Sequence, residues 1–314
     1  MADLFLPEDQ AVDGRLGLRF PGHDERNKNY SVRPLLANRR DAIVRKPTFW
    51  KLPANNSVFP LDQAKEGACG PFSASHELAV GPIEVSGINN DFAFSLYPRV
   101  QAMDRSMGNN WPDGVSMLAL AKTLKAENRI TAYRWAFGIN DVLDTLISTG
   151  PVTIGVEWRY NMYFTASGGR VVLSGNVVGG HALTLVAYDI VDSQEKADRL
   201  KLPLGTEIVG WINSWGRGYG VADARLNAPG GIGWITVADL AALLARNGEA
   251  LVPTDFFAAS PPPPAPDPAK APYFATARGI TFHDRHPGLD RNRVFFTRDE
   301  ALRAGLRPCG ICRP

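Results

Sequence analysis

Cysteine is scarce in this chain: three residues among 314, alongside five histidines. Three thiols form at most one intrachain disulfide, which excludes the disulfide-braced scaffolds of small secreted domains and points to a reducing compartment. Long hydrophobic runs are missing as well. No stretch approaches the roughly 18 unbroken apolar residues of a membrane span, and the opening MADLFLPEDQ has no basic region leading into an apolar one. The expectation is a cytoplasmic protein with no membrane partner. An excess of one charge is lacking too: a net charge of +2 is too mild to predict nucleic acid as a partner. Internal repeats are absent. What remains, 45% apolar and 21% charged residues, is the composition of a globular protein.

Proline marks the organisation. Ser260 to Pro272 reads SPPPPAPDPAKAP, which can form neither helix nor central strand and should run as a stiff extended spacer. It divides the chain into an N-terminal extension (1–45), a main domain (46–258), a linker (259–272) and a tail module (273–314) too small to hold a core unaided. The extension lacks periodicity and reads as a surface covering that reaches part of a cleft. In the main domain, 72–79 and 116–125 carry helical spacing, whereas VVLSG (171–175), HALTLVAYDIV (181–191) and IVGWINSW (208–215) read as strands. Helices early and strands late indicate α+β.

Cys69 lies in LDQAKEGACGPFSAS, between small residues at the start of an apolar helix. A lone cysteine is more often a buried packing residue. At a helix N-terminus, however, unpaired backbone N–H groups and the positive end of the dipole favour thiolate, which makes a nucleophile. Such a thiol needs a base, and His181 follows two glycines at the start of an apolar strand. Asn213, in GWINSWGRGYG, is a polar residue in an apolar strand that would hydrogen-bond the imidazole, with Trp215 shielding that bond from water.

These residues resemble the papain-like cysteine peptidases. Gln63 precedes Cys69 by six residues as in that family, GACGPFSA fits its GxCxxFSA, and the order Cys69, His181, Asn213 is kept. WPDGVSMLALAKTLK is similar to the cleft segment and its helix, GPVTIGVEW and GGHALTLVAYD to two strands, and INSWGRGYG with GGIGWITVADL to the NSWG motif and closing strand; the likeness runs from about Pro60 to Leu240. It implies a helical lobe and an antiparallel β lobe, with peptide hydrolysis by a Cys69–His181–Asn213 triad and an oxyanion hole made by Gln63 and the Cys69 N–H. It also implies substrate contacts by Gly67, Ala68, Gly114, Gly180 and Trp215, a peptide or protein as substrate, and no cofactor in catalysis. Gly70 stands where the family has Trp, which would thin the wall beside the thiol, and DSQEKADRLKLPLG (192–205) reads as an inserted loop. A scaffold without turnover, or an amidase or acyltransferase using the same site, would fit the same residues.

The tail carries HxxH and CxxC: His283, His286, Cys309 and Cys312. Four such ligands suit structural Zn²⁺, which would supply the stability a module of this size lacks. FHDRHP and RVFFTRDEALRAGLRPCGICRP resemble the zinc module of Ada-type repair methyltransferases, with histidines in place of the first cysteine pair. Histidine cannot accept the methyl group, so the likeness implies fold and metal only. The eight arginines against four acids in 273–314 read as a solvated face rather than a nucleic-acid site. The module is expected to dock a partner, and the sequence leaves open membership of a larger particle.

Overall fold

The computed structural model describes residues 15–20, 25–37, 43–53, 58–255, 273–275, 281–282, 293–295, 301–302 and 306–308. His283, His286, Cys309, Cys312 and the proline-rich linker lie outside them. The chain divides into two compact units, Met1–Pro263 and Pro264–Pro314.

The first unit places helices early and strands late, as the hydrophobic patterns predict. Its helices are α1 (Arg33–Ala37), α2 (Cys69–Val80), α3 (Asn90–Ser106), α4 (Met117–Ala126), α5 (Gly138–Ser148), α6 (Gln194–Leu200) and α7 (Val237–Leu244). Its strands are β1 (Thr48–Phe49), β2 (Tyr133–Trp135), β3 (Val152–Arg159), β4 (Val177–Ile190), β5 (Glu207–Ile212), β6 (Val221–Asp223), β7 (Ala228–Thr236) and β8 (Glu249–Pro253). They form one sheet in the order β2-β8-β3-β4-β5-β7-β6, with β1 joined to β4, and every pairing is antiparallel.

Helix α2 is buried along its whole length. Its run of small and apolar residues fits this, because a helix enclosed on every side needs no polar face. It packs on β4, where the Thr184 hydroxyl donates to the Ser73 carbonyl at 2.7 Å. Helix α4 is started by Ser116, whose side chain accepts from Ala119 N at 3.1 Å. Buried Asp104 of α3 binds both the N–H and the hydroxyl of that same serine, at 2.8 and 2.7 Å. These bonds fix the segment Asp113–Val115 beside the N-terminus of α2.

Three sequence expectations need correction. Residues 171–175 are not a strand: Val171 N bonds Trp234 O at 2.7 Å, and the chain then turns at Gly175 with φ 85°. The segment read as an inserted loop contains α6, which Ser193 caps by accepting from Lys196 N. The N-terminal extension is no mere surface covering, since Leu18, Val32 and Leu36 are core residues and Val32 N bonds Trp135 O at 2.9 Å.

In the second unit, β9 (Tyr273–Ala275) pairs antiparallel with β11 (Arg293–Phe295), and β10 (Thr281–Phe282) pairs parallel with β12 (Arg307–Pro308). No helix among the described residues is long and apolar enough to cross a membrane.

Candidate active site

Cys69 is the first residue of α2 and is wholly enclosed. Ala68, the residue before this helix, makes no side-chain cap hydrogen bond. The N–H groups of Ala182, Gly17 and Gly70 are directed at the sulfur. The Ala182 contact sets the thiol against the backbone of the residue next to His181.

His181 lies on β4, where it faces Val156 of β3 across the ladder. Its Nε2 is 2.8 Å from Asn213 Oδ1, and that oxygen also accepts from Ser214 N at 2.8 Å. The Ser214 N–H fixes the amide orientation: with the groups flipped, two donors would face each other. Oδ1 is then an acceptor only, so Nε2 carries the ring proton and Nδ1 of the neutral imidazole keeps its lone pair. Nδ1 is buried and has no hydrogen-bond partner among the described residues. Three aromatic rings enclose the pair. Trp158 meets the imidazole edge-on with centroids 4.6 Å apart, Trp215 lies 4.8 Å from it, and Tyr163 stacks on Trp215 at 5.3 Å and 11°.

Gln63 is tied to the same strand end. Its N–H donates to Ser214 O at 2.8 Å, and its side-chain oxygen accepts from the Ser214 hydroxyl. Its Nε2 donates to the carbonyls of Arg15 and Glu66, the former at 3.0 Å. The amide expected to hold an oxyanion thus holds a backbone carbonyl of the N-terminal segment.

That segment, residues 15–20, crosses the cleft as a strap. Val115 N donates to Gly17 O at 2.8 Å, Arg19 N to Val115 O at 2.9 Å and Leu18 N to Gly180 O at 3.1 Å. The Arg15 guanidinium lies 5.2 Å from the Trp215 ring centroid. Contact at Gly17 is so close that a Cβ there would fall 1.7 Å from Gly67 O. Gly114 has φ 84°, and a Cβ on it would come within 2.3 Å of Gly17 O, so both the turn and the close approach require glycine. Ala68 is buried at the residue preceding α2.

The strap alters the electrostatics expected from a helix terminus. Burial pushes the Cys69 thiol up to about 11; the three N–H groups oppose this, and the Asp113 charge adds to it. Burial also holds His181 down at about 4, with the Asn213 bond acting upward and the Arg15 charge downward. With the cleft covered, the pair is therefore thiol and neutral imidazole, not the thiolate expected from the sequence, because enclosure disfavours both charged forms. At Gly70 a Cβ would lie 2.9 Å from Val115 Cγ2, so the small residue lets α2 approach the cleft segment.

Sequence reasoning missed Trp158, Tyr163, Ser214 and the strap residues Arg15, Gly17 and Leu18. Trp158 ends the GPVTIGVEW strand in register with Gly179, and that alternation was available as a signal. For the strap the sequence indicates only that the extension reaches part of a cleft, and does not mark which residues do so.

No family model and no curated protein matches the sequence. Among solved structures, xylellain, a cysteine protease from Xylella fastidiosa, is similar at 15% identity, with a TM-score of 0.50 over 77% of this chain and 96% of that one. Digestive procathepsin L 3 from Tenebrio molitor larval midgut is 16% identical, with a TM-score of 0.47 over 78% of each chain. The likeness to xylellain shows the fold, that of the papain-like cysteine proteases, and the fold alone. The Ada-type resemblance of the tail has no support from these matches.

Proposed function

We propose that the chain is a cysteine peptidase in which Cys69 is the nucleophile, His181 the general base and acid, and Asn213 the residue that orients the imidazole. The observation that supports this most is the His181 ring held through Nε2 by Asn213, with an unpartnered Nδ1 on the residue adjoining the thiol's backbone contact. When the strap leaves, water enters and a peptide replaces it. His181 Nδ1 takes the thiol proton, and the thiolate attacks the scissile carbonyl. The Cys69 N–H and the Gln63 amide, freed from Arg15 O, hold the developing oxyanion. The imidazolium then protonates the leaving amine, and water attacks the acyl-enzyme with His181 again acting as base. The cycle uses no metal or cofactor, and its substrate is a protein or peptide.

The test is hydrolysis of an unfolded protein substrate. Cys69→Ala should remove all turnover while keeping the circular dichroism of the parent chain. Asn213→Ala should leave a weak but measurable rate, because the ring loses its orientation but not its chemistry. Undiminished cleavage by the Cys69→Ala chain would refute the assignment. For the tail, we propose structural zinc held by His283, His286, Cys309 and Cys312, supported by their spacing alone.

A further inference from the structure

Asn213 is anchored by only one end of its amide. Its Oδ1 meets His181 Nε2 and Ser214 N, whereas Nδ2 is buried and has no hydrogen-bond partner among the described residues. The indole Nε1 of Trp211, on the strand β5 that leads to Asn213, is buried and unpartnered in the same way. One group faces both. The hydroxyl of buried Tyr219 stands beside them and donates to Met162 O at 3.3 Å. Burial pushes this phenol up, and the Trp211 and Asn213 N–H groups act on it in the opposite direction. With the cleft covered, both N–H groups approach the oxygen without reaching full hydrogen-bond geometry.

A phenol hydroxyl has one proton to donate and two lone pairs to accept with. Met162 O takes the proton, and Trp211 Nε1 and Asn213 Nδ2 match the two lone pairs, so phenylalanine would leave two N–H groups and a carbonyl without this partner. The backbone sets the placement: Gly231 N donates to Tyr219 O at 2.7 Å, and Asn213 N to Gly231 O at 3.1 Å. The Tyr219 ring meets Trp215 edge-on with centroids 5.3 Å apart, and Met162 precedes Tyr163, which stacks on that same tryptophan. The hydroxyl thus joins the Asn213 amide to the aromatic wall over the imidazole. We infer that Tyr219 is a positioning residue of the site, its hydroxyl holding the Asn213 amide from behind so that Oδ1 stays aimed at His181 Nε2 as the ring gains and loses its second proton. An amide held at both ends cannot swing about its last torsion, and the bond from Nε2–H to Oδ1 strengthens when the imidazole is charged. This rests on the peptidase reading for its effect on turnover, but not for the geometry.

The positioning is tested without turnover in a Cys69→Ala chain with isotope-labelled histidine, by NMR of the His181 Nε2–H proton. In that parent the proton should belong to a single tautomer and exchange slowly. Tyr219→Phe should speed its exchange at least about tenfold, the loss of one buried hydrogen bond. Tyr188→Phe removes another buried phenol oxygen, one that donates to Glu207 toward the end of β4, and should leave the exchange within about threefold of the parent. Fluorotyrosine at position 219 keeps the shape and weakens the oxygen as an acceptor. It should shift the exchange in the direction of Tyr219→Phe, and it decides the matter where that variant fails to fold. Unchanged exchange in a folded Tyr219→Phe chain or in the fluorotyrosine chain, or an equal rise in Tyr188→Phe, would overturn the inference. In the catalytic chain, kcat for a fluorogenic peptide should fall about tenfold in Tyr219→Phe with KM within about twofold, because the enclosed phenol does not touch substrate; a change in KM alone would also overturn it. If the exchange coupling holds and no peptide is cleaved, the peptidase reading fails and the positioning stands. Cleavage without coupling leaves the enzyme and removes the role of Tyr219.

Discussion

Leu18→Ala should expose the nucleophile. Leu18 is only 2% exposed, and its tip packs on Gly155 and Met117, holding in place the neighbouring Gly17, whose backbone N–H acts on the wholly buried Cys69 thiol. Truncation removes three buried carbons at about 0.8 kcal/mol each, or about 2.4 kcal/mol. It leaves the backbone bonds of Leu18 and Arg19 formally available. The loss falls on the covered state alone, since in the uncovered state the side chain is in water with or without those carbons. The covered-to-uncovered ratio should therefore drop by roughly 60-fold, at about tenfold per 1.4 kcal/mol. When opening and closing are fast relative to reaction, modification of a buried group tracks the open population. Iodoacetamide labelling of Cys69, followed by mass spectrometry at neutral pH, should then accelerate by tens of fold, up to the rate of the open thiol. The circular dichroism and the main unfolding transition should stay those of the parent, because the rest of the core is untouched. A labelling rate within about threefold of the parent in a folded Leu18→Ala chain would mean that residues 15–20 do not control access to the thiol, and the reasoning above would fail.

Two further outcomes follow from other parts of the chain. Glu77 of α2 is fully buried, accepts from Thr153 N at 3.0 Å with one oxygen, has no partner for the other among the described residues, and is pushed up by burial to about 8. A carboxyl raised in the folded state contributes its full stability below its unfolded value of about 4.5 and loses it as pH rises through about 8, since only the unfolded chain ionises freely. Buried His76 and His181, held at about 3 and about 4, add stability as pH rises toward 6.5, so the Glu77 contribution is read as a difference. The melting temperature of the parent relative to Glu77→Gln, which keeps the acceptor for Thr153, should fall between pH 5 and 8 by an amount equivalent to a few kcal/mol; parallel curves would contradict the placement. For the tail, protein purified without added metal should carry about one zinc per chain and lose it on substitution of Cys309 and Cys312 together. Less than a tenth of an equivalent, with those thiols oxidised, would remove the metal site.

The parts of the site legible in the sequence are those where residue type alone is informative. Cys69 at a helix start, His181 after paired glycines and Asn213 within an apolar strand each carry chemistry that packing does not explain, and antiparallel pairing across β3, β4 and β5 brings the latter two within hydrogen-bond reach. The helix-to-strand order was legible as well, because β4 and β5 are mostly apolar runs and α2 is rich in small and apolar residues. The strap was not. Leu18 reads as an ordinary apolar residue in an unpatterned segment, and its burial depends on a slot built by Gly155, Met117 and Gly180, far away in the chain. The thiol's electrostatics were misjudged by the same omission, since a helix terminus alone favours thiolate and only the covering residues reverse that. The segment 192–205 reads as a loop in the sequence because its charged surface hides the short α6, which Ser193 starts and whose buried residues are Ala197 and Leu200. At Gly70 the structure adds what the sequence does not show, that the small residue admits the close approach of Val115.

The central claim is tested most directly by trapping the nucleophile. The full chain carrying Leu18→Ala is incubated with a peptidyl epoxide, digested and mapped by mass spectrometry, beside the same chain with His181→Ala. The account predicts a single adduct on Cys69, formed rapidly in the first chain and slowed by orders of magnitude in the second, because the thiol there has no base. An adduct on Cys309 or Cys312 instead, or labelling of Cys69 at the same rate with and without His181, would contradict it.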